Sequence, residues 1–203
     1  MLNRIIGTFA ALFIAATVLA PLHGAQAAGE REAIQRMNET LAATMADGQS
    51  LGFQGRYDRL EPVLGEVFDF RLMAQIGLQR YWANISDADR DAIVDAFRRM
   101  SIATYASRFD GNGDIAFRID GVREGPQNLV LVQTVIERAN DDPVNLTYVM
   151  RDGAGGPAVI DVLAQGKFSE LARQRAEMSS VFGRSGASGL VESLNAKTAE
   201  LGS

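Results

Sequence analysis

The stretch "VIDVLAQGKFSELARQRAEMSSVF", Val159–Phe182, changes its hydrophobic period partway along. Its first residues are branched and apolar, which is typical of a strand. Phe168, Leu171 and Met178 then recur at the spacing of a helix face. One carboxylate, Asp161, interrupts the apolar start. The stretch therefore predicts a strand that turns into an amphipathic helix, and the role of Asp161 becomes the question that the rest of the chain must answer.

The segments before this stretch divide into a helical part and a strand part. Apolar spacing predicts a helix over Ala33–Met45, a glycine-rich loop over Gly48–Gly55, short helices over Tyr57–Trp82 divided at Gly65 and Gly77, and a helix that Ser86 caps and that ends near Phe109. Four short runs of branched and aromatic residues then predict strands over Ile115–Ile119, Leu129–Ile136, Val144–Met150 and Val159–Leu163. The connections between the strands are of loop length, which favours antiparallel pairing of neighbours.

The end of the chain returns to a helical pattern. The helix after Phe168 is interrupted by "GRSGASG", and Leu190, Leu194 and Leu201 indicate one last helix. The order is therefore helices, strands and helices again. It predicts the α+β class, with helices packed on one face of a curved, mainly antiparallel sheet.

The first 27 residues have the pattern of a secretory signal peptide. Arg4 supplies a positive start, Ile5–Ala20 is a 16-residue stretch without charge, and Ala25–Ala27 gives the small-residue cleavage pattern. We therefore expect cleavage after Ala27, export to the periplasm, and a single mature domain over residues 28–203. The apolar run is shorter than the roughly 20 residues that a membrane-spanning helix needs.

The composition excludes several classes of chemistry. The chain has no cysteine, and its one histidine, His23, lies within the predicted signal peptide. A mature chain without thiol or imidazole cannot carry out Ser-His-Asp or Cys-His catalysis, and it cannot form an ordinary zinc site. Removal of residues 1–27 takes away Arg4 and changes the formal net charge from −5 to −6, which argues against a nucleic-acid partner.

The "DGNGD" motif, Asp110–Asp114, is predicted to be a turn and not a calcium site. An EF-hand loop that began at Asp110 would need glycine at its sixth position and glutamate at its twelfth. Those positions hold Ile115 and Gly121. No metal site or cofactor is therefore expected.

Two interpretations of Asp161 remain open on the sequence alone. In the favoured one, Asp161 lies on the strand face shared with Val159 and Leu163, and Arg173 or Arg175 neutralises it in a structural ion pair, because an unpaired buried carboxylate is costly. In the other, Asp161 is the acid–base group of an enzyme on a cone-shaped fold. Its hydrogen-bond donor would be one of three tyrosines: Tyr81, Tyr105 or Tyr148.

The chain also resembles a known family. Arg56–Phe109 is similar to the exported toluene-tolerance proteins, the lipid-binding components of the maintenance-of-lipid-asymmetry transport system. The matching elements are Phe68-Asp69, Ile76-Gly77, Trp82, Asp89-Arg90, Phe97 and "TYASRF" at Thr104–Phe109, followed by Asp161, Gly166, Ser169 and Arg175. The run "GKFSELA" looks most like the hopanoid-associated branch.

The resemblance implies an NTF2-like cone fold, in which the helices and the sheet enclose an apolar cavity, and a monomeric carrier that is not an enzyme. Its deep apolar cavity would take the acyl chains of a phospholipid, or a hopanoid-type lipid. It would carry that lipid between an inner-membrane ABC-type transporter and an outer-membrane acceptor complex. The expected wall residues are Phe68, Met73, Ile76, Trp82, Phe97, Met100, Tyr105, Val130, Val132, Tyr148, Met150 and Leu163. A third hypothesis is an adaptor protein with a solid core, which a cavity too small for one acyl chain would favour.

Overall fold

The computed structural model describes residues 22–111, 115–139, 141–153 and 155–203, and for residues 22–27 it describes only the backbone. Most of the expected signal peptide therefore lies outside the described residues, and so do residues 112–114 of the predicted turn at Asp110–Asp114. Within the described part of the chain, no helix is both long and apolar enough to cross a membrane.

The described residues form a helical layer and one sheet. The helices are α1 (Leu22–Ala46), α2 (Gly48–Val67), α3 (Phe70–Gly77), α4 (Gln79–Trp82), α5 (Asp87–Arg108) and α6 (Glu170–Leu201). The strands are β1 (Ile115–Glu124), β2 (Val130–Arg138), β3 (Asp141–Gly153), β4 (Gly156–Ala164) and β5 (Phe168–Ser169), with a 3₁₀ turn at Pro126–Asn128. The predicted α+β class is confirmed.

The sheet is an antiparallel meander in the order β1-β2-β3-β4-β5, so every strand pairs with its neighbour in sequence. Helices α1, α2, α3 and α6 contact the sheet, and α5 packs against α2, α3 and α6. One long-range connection ties the two parts together: the backbone N–H of Asp69 donates to the carbonyl of Val159 over 3.0 Å.

The predicted cap at Ser86 is present. The hydroxyl of Ser86 accepts from the backbone N–H of Asp89 over 3.1 Å, and the acidic residues Asp87 and Asp89 lie in the first turn of α5. Carboxylates are favoured there because the helix dipole places partial positive charge at the N-terminus. The helix ends at Arg108, next to the predicted boundary at Phe109.

Two predictions about the helical part are wrong. Residues 48–55 are not a loop but the start of α2, with a break at Gly52 (φ 61°, ψ −178°). Tertiary contacts override the weak helix propensity of this glycine-rich segment, because the guanidinium of Arg56 donates to the carbonyls of Gly48 and Ala106, both over 2.8 Å. Gly48 also lies so close to the Asp110 carbonyl that a Cβ would stand 2.6 Å from its oxygen.

The break that was predicted at Gly65 occurs instead at Phe68 and Asp69. Asp69 begins α3 by accepting from the backbone N–H of Leu72 over 2.8 Å, which is an ordinary N-cap. Gly65 remains inside α2, where the side chain of Arg98 would leave only 2.8 Å for a Cβ. The predicted division at Gly77 agrees with the end of α3.

Candidate functional site

A cavity of about 640 Å³ lies between the helices and the sheet. Most of its wall is apolar or aromatic, and it is formed mainly by helices α3, α5 and α6 and by strands β2, β3 and β4. Its apolar lining residues are Leu64, Phe68, Phe70, Met73, Phe97, Met100, Phe109, Ile115, Ile136, Val144, Leu146, Val162, Ala164, Leu171, Met178, Val181, Leu190, Leu194 and Leu201.

Aromatic rings in edge or stacked contact form one side of this wall. Phe68 stacks on Phe70 with 5.5 Å between ring centroids and meets the edge of Tyr105 at 5.9 Å. Phe70 in turn meets Phe97 at 6.1 Å. Such pairs contribute about 0.5–1.5 kcal/mol each beyond the area they bury, so this side of the wall is stabilised without a ligand.

Six of the twelve predicted wall residues line the cavity, and six do not. Those that line it are Phe68, Met73, Phe97, Met100, Tyr105 and Tyr148. The other six lie outside the lining of this cavity: Ile76, Trp82, Val130, Val132, Met150 and Leu163.

The physical reasons for the six misplaced residues differ. Helix α1 packs against β1, β2 and β4, and Val130, Val132 and Met150 belong to the solid core there. Trp82 lies in α4 with the guanidinium of Arg90 over its ring, 5.5 Å from the centroid. Ile76 packs against the core without reaching the cavity.

Leu163 is misplaced because β4 contains a bulge. Met150 pairs with Val159, whereas Val149 pairs with Asp161, so one extra residue interrupts the alternation of the strand. Directly opposed residues point to the same face, and Val162 therefore shares the cavity face with Tyr148. Simple alternation from Val159 cannot detect such a bulge.

The sequence interpretation missed the contribution of the C-terminal helix. Leu190, Leu194 and Leu201 were seen as a helical stripe but were not assigned to the cavity, which they line. Helix α6 bends back at Gly186, where φ is 65° and ψ is −163°. The bend brings Lys197 to within 3.4 Å of Glu177. The interruption predicted from "GRSGASG" is thus the bend at Gly186, which joins the two halves of α6.

Asp161 has other partners than the predicted arginines. Its carboxylate accepts from the Ser169 hydroxyl over 2.6 Å, from the backbone N–H of Leu171 over 3.0 Å and from that of Val162 over 2.7 Å. In the described part of the chain Arg173 pairs with Glu170 over 3.0 Å, and Arg175 forms no ion pair. The predicted ion pair is therefore wrong, because Asp161 meets the amide end of α6 before any arginine can reach it.

Two tyrosines bring polar groups into the cavity wall. Burial raises the pKa of the Tyr105 hydroxyl to about 12, with Arg108 acting against this rise and Glu170 adding to it. Burial also raises the pKa of Tyr148 well above its ordinary value, and Tyr105 adds to that rise. Both hydroxyls are consequently neutral at physiological pH and can act as hydrogen-bond donors.

The charged part of the lining, which we call the mouth, consists of residues that are at least partly exposed to solvent. They are Arg108, Arg138, Glu170, Arg173, Glu177 and Lys197. Among the described residues, no group of acidic side chains is placed to hold a metal ion. The arrangement can therefore shield a hydrocarbon chain inside while charged atoms remain in water.

Fold and cavity together define the class of this protein: an α+β container with an apolar interior and a charged mouth. The family model described as MlaC protein matches residues 35–196, and the chain belongs to this family. The predicted resemblance to the lipid-asymmetry family is confirmed at that level, while its assignment to the hopanoid-associated branch stays a prediction.

A solved structure supports the same fold. It is the phospholipid-binding protein from Ralstonia solanacearum in complex with a phospholipid, with which the chain shares 21% identity and a TM-score of 0.73. The match covers 86% of this chain and 99% of the other. No curated protein sequence matches the chain at a significant level.

Proposed function

We propose that this protein is a periplasmic lipid carrier. It takes the hydrocarbon part of a phospholipid or of a hopanoid-type lipid into the cavity and leaves the polar part at the mouth. It works in an ABC-type lipid transport system, between an inner-membrane transporter and an outer-membrane acceptor complex. The proposal adds the cargo, the transport system and the movement between the two membranes to what family membership establishes.

The observation that carries the proposal is the cavity of about 640 Å³. Its volume falls within the range of roughly 300–1,000 Å³ that ligand pockets occupy. Shielding apolar surface from water contributes about 25 cal/mol per Å², so a dry wall alone can hold a lipid tail. A carrier of this kind needs neither a nucleophile nor a metal ion.

The Ralstonia protein supports the choice of ligand, because a chain of the same fold is described as binding a phospholipid. Family membership supports a binding protein and a periplasmic location. The hypothesis of an adaptor with a solid core is disfavoured by the size of the cavity.

The rival proposal, an acid–base enzyme that uses Asp161, receives no support from the geometry. A catalytic carboxylate would have to contact the ligand, but Asp161 is not part of the cavity lining. Both of its oxygens already accept hydrogen bonds, from Ser169, Leu171 and Val162. We therefore interpret Asp161 as structural.

Organic extraction followed by lipid mass spectrometry tests the proposal. We expect protein purified from its native source without detergent to release about one lipid per chain. Protein stripped of lipid should then regain it from phospholipid vesicles. A clean extract together with no uptake from vesicles would contradict lipid carriage.

A further inference from the structure

The mouth has the opposite charge balance from the rest of the protein. The whole chain carries a formal net charge of −5. The cavity lining nevertheless contains four cations, Arg108, Arg138, Arg173 and Lys197, against the carboxylates of Glu170 and Glu177. The net negative charge of the chain repels anions in general. A cluster of cations at the mouth acts locally against this repulsion and favours the entry of a negatively charged ligand.

Three of the four cations already have carboxylate partners. Arg138 pairs with Asp141 over 3.2 Å and Lys197 with Glu177 over 3.4 Å. Arg173 pairs with Glu170 over 3.0 Å. Each pair offsets part of the positive charge of its guanidinium or ammonium group.

Arg108 differs from the other three. Within the described residues it has no carboxylate partner, and it is exposed at the last turn of α5. The negative end of the helix dipole stabilises a cation at that position without a carboxylate. Its charge also reaches the neutral hydroxyl of Tyr105 in the cavity wall. Arg108 therefore lies at the boundary between the apolar lining and water, and its guanidinium donates no hydrogen bond to another described residue.

A guanidinium group in this position suits a phosphate ester. Its planar N–H groups can form two parallel hydrogen bonds to phosphate oxygens, which an uncharged lipid without phosphate cannot accept. In a zwitterionic headgroup the ammonium group is repelled by the guanidinium and offsets part of the attraction of the phosphate. We propose, on the basis of the proposed carrier function, that the mouth selects lipids whose headgroup has a net negative charge, and that Arg108 pairs with their phosphate. The preferred cargo is then an anionic phospholipid, and neither a zwitterionic lipid nor an uncharged polycyclic one.

Competition between two lipids with identical acyl chains tests the inference. Stripped mature protein is incubated with vesicles of phosphatidylglycerol and phosphatidylcholine in equal amounts, and the bound lipids are extracted and quantified. We expect wild type to enrich phosphatidylglycerol by about two- to fivefold, because one exposed ion pair contributes only a small binding free energy. The enrichment should shrink as the salt concentration rises, because salt screens exposed charges.

Arg108→Gln should bring the ratio of bound lipids back to that of the vesicles, whereas Arg108→Lys, which keeps the charge, should retain most of the enrichment. Arg123→Gln is the matched control, because Arg123 is exposed on β1, outside the cavity lining. Both glutamine variants remove one positive charge, so a general electrostatic effect would appear in both. Melting temperatures close to wild type will show that each variant is folded.

The outcomes separate this inference from the function on which it rests. Equal uptake of both lipids by wild type, or the same enrichment in Arg108→Gln as in wild type, overturns the role of Arg108 and leaves carriage intact. Preferential loading of an uncharged polycyclic lipid from mixed vesicles also overturns it. Uptake of no lipid at all would instead contradict the carrier function.

Discussion

At the scale of single residues, Asp161 connects the sheet to the last helix. Ser169 caps α6 in the usual way, because its hydroxyl accepts from the backbone N–H of Ala172 over 2.8 Å. Asp161 accepts from the N–H of Leu171, which belongs to the same first turn. Two of the four N–H groups that a helix N-terminus leaves without intrahelical partners are thereby satisfied, one by the N-cap residue Ser169 and one by Asp161 of β4.

We predict that Asp161→Ala destabilises the protein by about 1–3 kcal/mol, because the Leu171 N–H and the Ser169 hydroxyl lose their acceptor. For a domain of this size, this corresponds to a fall of roughly 2–4 °C in melting temperature per kcal/mol. Thermal unfolding followed by circular dichroism measures it.

Asp152→Ala is the control for this experiment, since Asp152 is an exposed carboxylate on β3. It should change the melting temperature little. An Asp161→Ala protein as stable as wild type would contradict the structural role and return the acid–base interpretation to consideration.

The raised pKa values of Tyr105 and Tyr148 predict a loss of stability in alkali. Between a pH of about 10 and the folded-state pKa of about 12 at Tyr105, the unfolded chain releases protons that the folded chain retains. Unfolding then becomes more favourable as the pH rises. Below the ordinary tyrosine pKa both states are protonated, and this contribution to stability is constant.

Urea unfolding at increasing pH, with tyrosinate absorbance as a second readout, measures this effect. Wild type should lose stability more steeply above a pH of about 10 than the double variant Tyr105→Phe/Tyr148→Phe. Parallel pH curves for the two proteins would show that these hydroxyls do not keep their protons in the folded state.

At the scale of elements, the start of α5 was predictable from the sequence, whereas the starts of α2 and α3 were not. Ser86 precedes two acidic residues, a local signal that needs no information from the rest of the chain. The start of α3 depends on Asp69, whose N–H bonds to Val159 in the sheet, and no local pattern reports such a partner. Residues 48–55 form helix against their propensity because Arg56 joins the Gly48 carbonyl to that of Ala106 in α5, and because Gly48 packs closely against the Asp110 carbonyl.

The bend of α6 at Gly186 depends on a backbone conformation that residues with a Cβ rarely adopt. We predict that Gly186→Ala destabilises the protein by about 1–3 kcal/mol through backbone strain. The cause cannot be steric crowding, since a Cβ at this position would have no neighbour within 4 Å. Chemical denaturation measures the change.

Gly155→Ala is the matched control for the bend, because its Cβ would also stand in open space and its backbone is not in the positive-φ region. It should be neutral within error. If both alanine variants unfold at the same denaturant concentration as wild type, the conformation of Gly186 is not required for the fold.

At the scale of the whole molecule, the order of helical and strand-like hydrophobic patterns along the chain predicted the class of the fold. The position of the cavity could not be predicted in this way. Filled cores and hollow ones use the same residue types, so composition cannot locate empty space. Three of the predicted wall residues, Val130, Val132 and Met150, belong instead to the solid core on the side of the sheet where α1 packs. Because of the bulge in β4, Val162 faces the cavity and Leu163 does not.

Filling the cavity should abolish carriage and spare the fold. We predict that Val162→Trp lowers lipid uptake from vesicles several-fold without lowering the melting temperature, because the larger side chain occupies space that is otherwise empty. Leu163→Trp, one residue along on the other face of β4, is the control and should bind lipid normally. Undiminished uptake by Val162→Trp would show that the lipid does not enter this cavity.

The meander also has a consequence for how the chain folds. Each strand finds its partner across a short connection, so the sheet can assemble through contacts that are local in sequence. The pairing of Phe68 with Val159, by contrast, closes a loop that contains α5 and three strands, and it must await their formation. We therefore expect the helical layer to dock last, on a sheet that is already complete.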